Sequence, residues 1–105
     1  MAEETSREGV VFNIESYRKL WSIMDREDRA KLLLHCQLPY VQRKSITLLD
    51  NGGYSSKEAV RILGFSDQRQ FERVRAKALK RVLSILNSPK HNCHYTALLH
   101  GKNSV

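Results

Sequence analysis

Cationic side chains recur at helical spacing in the C-terminal half of the chain, and they are its residues best suited to bind an anionic ligand. They are Arg69, Arg73, Lys77, Lys80 and Arg81. At about 100° per residue these side chains share one side of a helix, while the apolar residues between Phe71 and Leu86 share the other. Such a face can bind phosphate groups, although a cationic helix face more often only contacts water.

The residues around this face predict two helices joined by a tight turn. Ser55 followed by Glu58 has the spacing of a capping box, so a helix is expected to begin there. Gly64 suits the left-handed residue that ends a helix, and Ser66 or Asp67 can cap the next helix. A short capped helix, a turn containing glycine and a longer basic helix are typical of a helix-turn-helix.

Arg75 departs from this pattern because it projects toward the apolar side of the second helix. A long cationic side chain in that position either extends its charged end to the edge of the apolar surface or pairs with a carboxylate. Glu58 and Asp50 are the two candidate partners. The sequence does not decide between these alternatives.

Other kinds of site have weaker support. The soft metal ligands His91, Cys93, His94 and His100 are crowded together, whereas a zinc site usually takes two spaced pairs, so no metal is expected. Adjacent residues on a helix, such as His35 and Cys36, point about 100° apart and do not form a nucleophile with its base. With neither a glycine-rich phosphate loop nor a serine nucleophile elbow, the sequence predicts no catalytic site, no cofactor and no enzyme.

The chain has 105 residues, which is enough for one domain with a modest core. Apolar residues at helical spacing predict an all-α fold of four to five helices. We divide it into a flexible N-terminal arm at 1–12, a helical segment at 13–37, the helix-turn-helix segment at 38–88 and a C-terminal tail at 89–105.

Parts of this division leave alternatives open. Asn13 and Asp25 are both plausible N-caps, so residues 13–37 form two helices or one bent helix. Residues 10–12 are a possible extended piece that packs on the body, and residues 90–105 form either a short docked helix or a tail. A helix beginning at Pro39 should end at the turn-forming residues 50–53.

The net charge of +7 is concentrated in one part of the chain. Residues 38–90 contain eleven Lys or Arg against four Asp or Glu, whereas residues 1–37 are nearly neutral. A phosphate-binding surface is therefore expected in the helix-turn-helix segment. Two cysteines, an acidic N-terminus without a signal-peptide pattern and no long apolar run predict a cytoplasmic protein that does not enter a membrane.

Several motifs follow one another between positions 38 and 83. They are Leu-Pro at 38–39, a helix containing Arg43, Gly-Gly at 52–53, Ser-x-x-Glu at 55–58, Leu-Gly-Phe-Ser at 63–66 and Val-Arg-Ala-Lys-Ala-Leu at 74–79. Their order resembles region four of bacterial sigma factors, a helix-turn-helix module that recognises the upstream promoter element. Arg75 stands where that family typically has a glutamate.

The resemblance implies a DNA-binding transcription regulator, associated with the nucleoid, whose second helix enters the major groove of double-stranded DNA. The residues that it places against base edges are Gln68, Arg69, Gln70 and Arg73. Arginine suits the O6 and N7 atoms of guanine, and glutamine suits the N6 and N7 atoms of adenine. The residues that it places against phosphates are Lys57, Arg61, Lys77, Lys80 and Arg81.

A protein-binding adaptor is the alternative function, because the fold that this resemblance implies also contacts RNA polymerase. Such an adaptor would dock on RNA polymerase or on a sigma factor, or would form a homodimer. Tyr17, Trp21 and Leu33 are its candidate surface residues, although Tyr17 and Trp21 are better explained as core. Three consecutive leucines at 32–34 cannot all face one core, so at least one is left for another surface. A phage packaging protein with a similar module is a third interpretation.

Overall fold

The computed structural model describes residues 10–101, and the regular secondary structure in this part of the chain is all helical. It contains the helices α1 (Ile14–Ile23), α2 (Arg26–Cys36), α3 (Tyr40–Ile46), α4 (Ser56–Leu63), α5 (Gln68–Leu86) and α6 (Asn92–Leu99). A π-helical segment, Thr47–Asn51, continues α3, and no strand occurs in the described range. The prediction of an all-α fold is therefore confirmed, with six helices where four to five were expected.

Side-chain caps separate the first two helices. The Asn13 side chain accepts from the Ser16 N–H while the Ser16 hydroxyl accepts from the Asn13 N–H. The Asp25 carboxylate caps α2 by accepting from the Asp28 N–H. Met24 between them is extended, with ψ of 141°. Because an extended residue interrupts the helical path, residues 13–37 form two helices and not one bent helix.

The first described residues contact α6 and the end of α5, and α6 itself packs against α1 and α5. The Val10 N–H donates to Thr96 Oγ1 at 3.1 Å, and the Phe12 N–H donates to Asn87 Oδ1 at 2.7 Å. Phe12 and Tyr95 are 3% and 2% exposed. Residues 10–12 thus pack on the helical body, and α6 is the docked helix among the alternatives for the C-terminal segment. Residues 1–9 of the predicted arm and 102–105 of the tail lie outside the described residues.

The core joins the N-terminal helices to the inner side of α5. Its buried residues include Leu20, Leu32, Cys36, Ile46, Ala78, Val82 and Leu86. Tyr17, Trp21 and Leu33 belong to the same core, at 1%, 5% and 8% exposure. The prediction that these three form a partner surface is therefore wrong, and the core interpretation of Tyr17 and Trp21 is confirmed.

The leucine run at positions 32–34 has one exposed member. Leu34 is 74% exposed, whereas Leu32 and Leu33 are buried. Helix geometry explains this difference, because a step of one residue turns the side chain by about 100° around the axis. In the described part of the chain, no helix has the length and hydropathy that crossing a membrane requires.

Candidate nucleic-acid interface

Helix α5 is 19 residues long and has one buried side and one cationic side. Phe71, Ala78, Val82 and Leu86 are fully buried, as the helical spacing predicted. The side chains of Arg69, Arg73, Lys77 and Lys80 are exposed on the other side. They follow one another at steps of about one turn over roughly 16 Å of helix, so they form a continuous strip of positive charge, which we call the cationic strip.

The four residues of the cationic strip have no hydrogen-bonding or ion-pair partner among the described residues. Among residues 10–101, no hydrogen bond or ion pair engages the side-chain nitrogen atoms of Arg69, Arg73, Lys77 or Lys80. The carboxylate nearest in sequence is Glu72, and it accepts a hydrogen bond from Gln68 Nε2 at 2.9 Å. The strip can therefore bind an anionic ligand without first breaking an ion pair to any residue in the described range.

The connection between α4 and α5 sets the residue at which α5 begins. Gly64 ends α4 in the left-handed conformation, with φ of 78° and ψ of 27°, which a glycine adopts without side-chain strain. Phe65 then packs edge-on against Phe71, with ring centroids 5.8 Å apart. Asp67 caps α5 by accepting from the Gln70 N–H at 2.9 Å, so of the two predicted caps Asp67 is the one used. The capping box of Ser55 and Glu58 at the start of α4 is confirmed.

The four predicted base-reading residues lie together on the first two turns of α5, and they fall into two pairs. Both glutamines have side-chain partners, because Gln68 donates to Glu72 and Gln70 Oε1 accepts from the Ser66 hydroxyl at 2.8 Å. Arg69 and Arg73 have none among the described residues. Exchanging a surface hydrogen bond for one to a base costs little, but the two arginines are already available.

The predicted phosphate-binding residues divide between two helices. Lys77 and Lys80 extend the cationic strip along α5, whereas Lys57 and Arg61 lie exposed on α4. Arg81 differs from both groups because its Nε donates to the carbonyl of Cys36 at 3.0 Å. This bond satisfies one of the carbonyls that the end of α2 leaves without an intrahelical donor. Arg81 therefore holds α2 against α5.

Arg75 pairs with Asp50, which settles the alternatives left by the sequence. Its Nη2 lies 3.0 Å from Asp50 Oδ1, and its Nη1 donates to the Ser45 carbonyl at 2.9 Å. Tyr17 donates its hydroxyl to the other Asp50 oxygen at 2.8 Å. The Arg75 and Asp50 side chains are only 15% and 17% exposed, so this contact attaches the middle of α5 to the π-helical segment and to α1.

A second set of contacts, which the sequence did not indicate, completes this junction. Trp21 Nε1 donates to the Asp50 carbonyl and to Asn51 Oδ1, both at 3.2 Å. Arg29 donates through Nε to the Trp21 carbonyl and through Nη1 to Asn51 Oδ1, both at 2.9 Å. The only sequence signal is the polar pair Asp50 and Asn51, which the sequence predicts to be part of a turn.

Burial raises the pKa of two groups next to this junction. It raises the pKa of the Tyr17 hydroxyl, and the neighbouring Asp50 charge raises that pKa further, so Tyr17 remains a hydrogen-bond donor. Burial also raises the pKa of the Cys36 thiol to about 11. Cys36 is therefore protonated at neutral pH, and its low exposure agrees with a core thiol.

The soft ligands near the C-terminus are arranged around aromatic contacts. His94 packs edge-on against Tyr95, with ring centroids 4.8 Å apart, and His91 lies beside His35 at 4.5 Å. Within residues 10–101, no group of three or more His, Cys, Asp or Glu side chains is placed to hold a metal ion.

Comparison of the chain with protein-family models, with curated proteins and with solved structures finds no match. The functional interpretation therefore depends on the residues and contacts of this chain.

Proposed function

We propose that this chain binds double-stranded DNA through the cationic strip of α5 and acts in transcription control at the nucleoid. The observation that supports this proposal is the availability of the strip. Arg69, Arg73, Lys77 and Lys80 are exposed on one helix side, while the described carboxylates near them are engaged elsewhere. A ligand with regularly spaced negative charges complements such a strip, and the DNA backbone is the commonest ligand of that kind.

The two ends of the strip have different roles in this proposal. Arg69 and Arg73 are near the capped start of α5, the part of a recognition helix that reaches base edges in the major groove. Each can donate two hydrogen bonds to the O6 and N7 atoms of a guanine. Lys77 and Lys80 lie farther along the helix and contact phosphates, which sets the affinity and the register but not the sequence preference.

The other residues that the sequence predicts to contact DNA differ in how available they are to it. Lys57 and Arg61 on α4 add positive charge beside the turn and are assigned to phosphates. Gln68 and Gln70 can read adenine once they leave Glu72 and Ser66. Arg81 contributes less, because its Nε is bonded to the Cys36 carbonyl.

Docking on RNA polymerase or a sigma factor is not supported by the surface predicted for it. Tyr17, Trp21 and Leu33 are buried, so they cannot contact a partner or a second copy of the chain. An adaptor function would therefore need a different surface.

The test is a titration of fluorescein-labelled duplexes, of random and AT-rich sequence, monitored by anisotropy at salt concentrations from about 50 to 300 mM. We expect binding that weakens steeply with salt. A Lys77→Ala/Lys80→Ala variant should reduce the slope of log K against log salt by about 2, because each phosphate contact contributes about 0.9.

The matched control removes two cations from α1, where Arg18 and Lys19 are exposed and lie outside the strip. The Arg18→Ala/Lys19→Ala variant should keep the slope of the parent protein. Equal slopes for the two double variants, or no binding at the lowest salt, would contradict the proposal.

A further inference from the structure

A second surface of the molecule combines apolar and cationic side chains around a cleft. The cleft lies between the end of α2, the start of α3 and the residues that precede α6, and its volume is about 680 Å³. Its main lining residues are Leu34, His35, Leu38, Arg43, Lys90 and His91. None of the residues assigned to DNA lines it, so it is distinct from the cationic strip.

The apolar part of the cleft is centred on Leu34. This side chain is 74% exposed, whereas Leu33 and Leu38, which also line the cleft, are 8% and 7% exposed. Leu34 therefore lies beside two core residues with most of its surface in water. A ligand that covers it with another apolar group would remove that surface from water, which is favourable in proportion to the area covered.

The edge of the cleft is positive. Arg43 and Lys90 carry charges there, and the rings of His35 and His91 lie with their centroids 4.5 Å apart. Of the residues that the structure describes, no Asp or Glu lines the cleft. The pKa of His91 is lowered by partial burial and by the neighbouring His35, Lys90 and His94, as expected where positive groups crowd together.

We propose that this cleft binds a short amphipathic segment of a partner protein, in which a large apolar side chain is flanked by Asp or Glu residues. The apolar residue covers Leu34, and the carboxylates pair with Arg43 and Lys90. The apolar part of the cleft and its positive edge then each contact a complementary group of the same ligand. Duplex DNA fits less well, because its charged backbone presents no large apolar group to cover Leu34.

The first experiment selects binders from a displayed library of random peptides about 12 residues long, a length that supplies helical anchors at i, i+3 and i+7. The full-length protein is the target. We expect the enriched peptides to combine a large apolar residue with Asp or Glu on either side. A labelled synthetic copy should then bind with a Kd of about 10–100 µM, the range of a small peptide interface.

Substitutions in the cleft and matched substitutions outside it then locate the binding. Leu34→Ser should weaken the labelled peptide at least about tenfold, as expected for losing one buried leucine contact. Lys90→Glu should weaken it about fivefold or more. Ile62→Ser on α4 removes an apolar side chain that is also exposed, at 52%, and Lys19→Glu reverses a charge on α1. Both controls should leave peptide affinity unchanged.

Three results would overturn the proposal. The first is that no peptide is enriched, or that the enriched peptides lack carboxylates. The second is that Leu34→Ser binds the peptide as well as the parent protein does. The third is that duplex DNA displaces the peptide and the displacement is lost in Lys90→Glu, which would make the cleft part of the DNA surface. Leu34→Ser should keep the parent affinity for DNA, so this test is independent of the cationic strip.

Discussion

The two sides of α5 use the same residue types for different purposes. Arg73 and Lys80 are exposed and have no partner among the described residues, whereas Arg75 and Arg81 turn toward other helices. Arg75 pairs with Asp50, and Arg81 donates to the last turn of α2. Cationic residues that lie close together in the sequence of α5 therefore differ in whether they bond to other groups of the same protein.

This difference shows that a basic helix cannot be treated as one uniform cationic surface. A cation with an internal partner stabilises the fold, because removing it takes a hydrogen-bond donor away from a poorly solvated carboxylate or carbonyl. A cation without a partner contributes little to stability and is available to a ligand. The comparison predicts that substitutions on the inward side reduce stability and that those on the outward side reduce binding.

The largest expected effect is the loss of stability in Arg75→Ala. We expect the free energy of unfolding to fall by about 3 kcal/mol, near the lower limit for breaking a buried ion pair because the pair is slightly exposed. Among the described residues, the carboxylate of Asp50 would keep only the Tyr17 hydroxyl as a donor. Urea denaturation followed by circular dichroism measures this change, and Arg73→Ala, two residues away, should change stability by no more than about 0.5 kcal/mol.

A double variant separates the ion pair from the general loss of packing. Asp50→Ala/Arg75→Ala removes both charges, so its destabilisation should be clearly smaller than the sum for the two single variants. If the two single effects simply add, Arg75 does not act through Asp50, and the inward half of the comparison fails.

The next effect concerns sequence preference and not stability. Arg73→Ala should reduce the difference in binding free energy between a selected duplex and a random one by about 2 kcal/mol, because an arginine that donates twice to guanine discriminates between bases. Competition titrations at one salt concentration measure this difference. An equal loss on both duplexes would assign Arg73 to phosphates instead. A loss of stability in this variant would show that Arg73 has a partner inside the protein.

Much of α5 could be predicted because its signals are local. The alternation of Phe71, Ala78 and Val82 with cations identifies both sides of the helix, and Gly64 and Asp67 mark its boundary through their own backbone preferences. Asp50 was one of two partners proposed for Arg75. The sequence could not decide between them, because the choice depends on how the π-helical segment packs against α5.

The three residues wrongly predicted to form a partner surface show what a local sequence pattern cannot determine. Helical spacing placed Tyr17 and Trp21 on an apolar side, but it could not say whether another helix of the same chain covers that side. Leu33 and Leu34 differ by one position, so the rotational setting of α2 decides which of them is exposed. The cleft joins Leu34 to His91, which are far apart in sequence, and no motif connects them.

A smaller effect distinguishes Arg81 from its neighbour Lys80. Arg81→Ala should lower the free energy of unfolding by about 1–1.5 kcal/mol, near the low end for a charged hydrogen bond because the side chain is partly in water. Lys80→Ala should leave stability within about 0.5 kcal/mol of the parent. Parallel urea denaturation of the two variants tests the comparison directly, and equal stabilities would show that the contact with Cys36 contributes nothing measurable.

The smallest expected effect lies at the same end of α2. Gln37 has φ of 51° and is the one residue other than glycine with positive φ in the described range. The left-handed conformation costs such a residue about 1–2 kcal/mol, whereas glycine adopts it freely but loses about 0.5–1 kcal/mol more backbone entropy on folding. Gln37→Gly should therefore stabilise the protein by about 0.5 kcal/mol in thermal and urea denaturation.

The matched control for this gain is Gln37→Ala, which keeps the strain and should not stabilise. If Gln37→Gly is instead destabilising, the glutamine side chain makes a contact that outweighs its backbone strain. Gln37 lines the proposed peptide cleft and directly follows Cys36, whose carbonyl accepts from Arg81. A destabilising result would therefore show that the Gln37 side chain also helps to join α2 to α5.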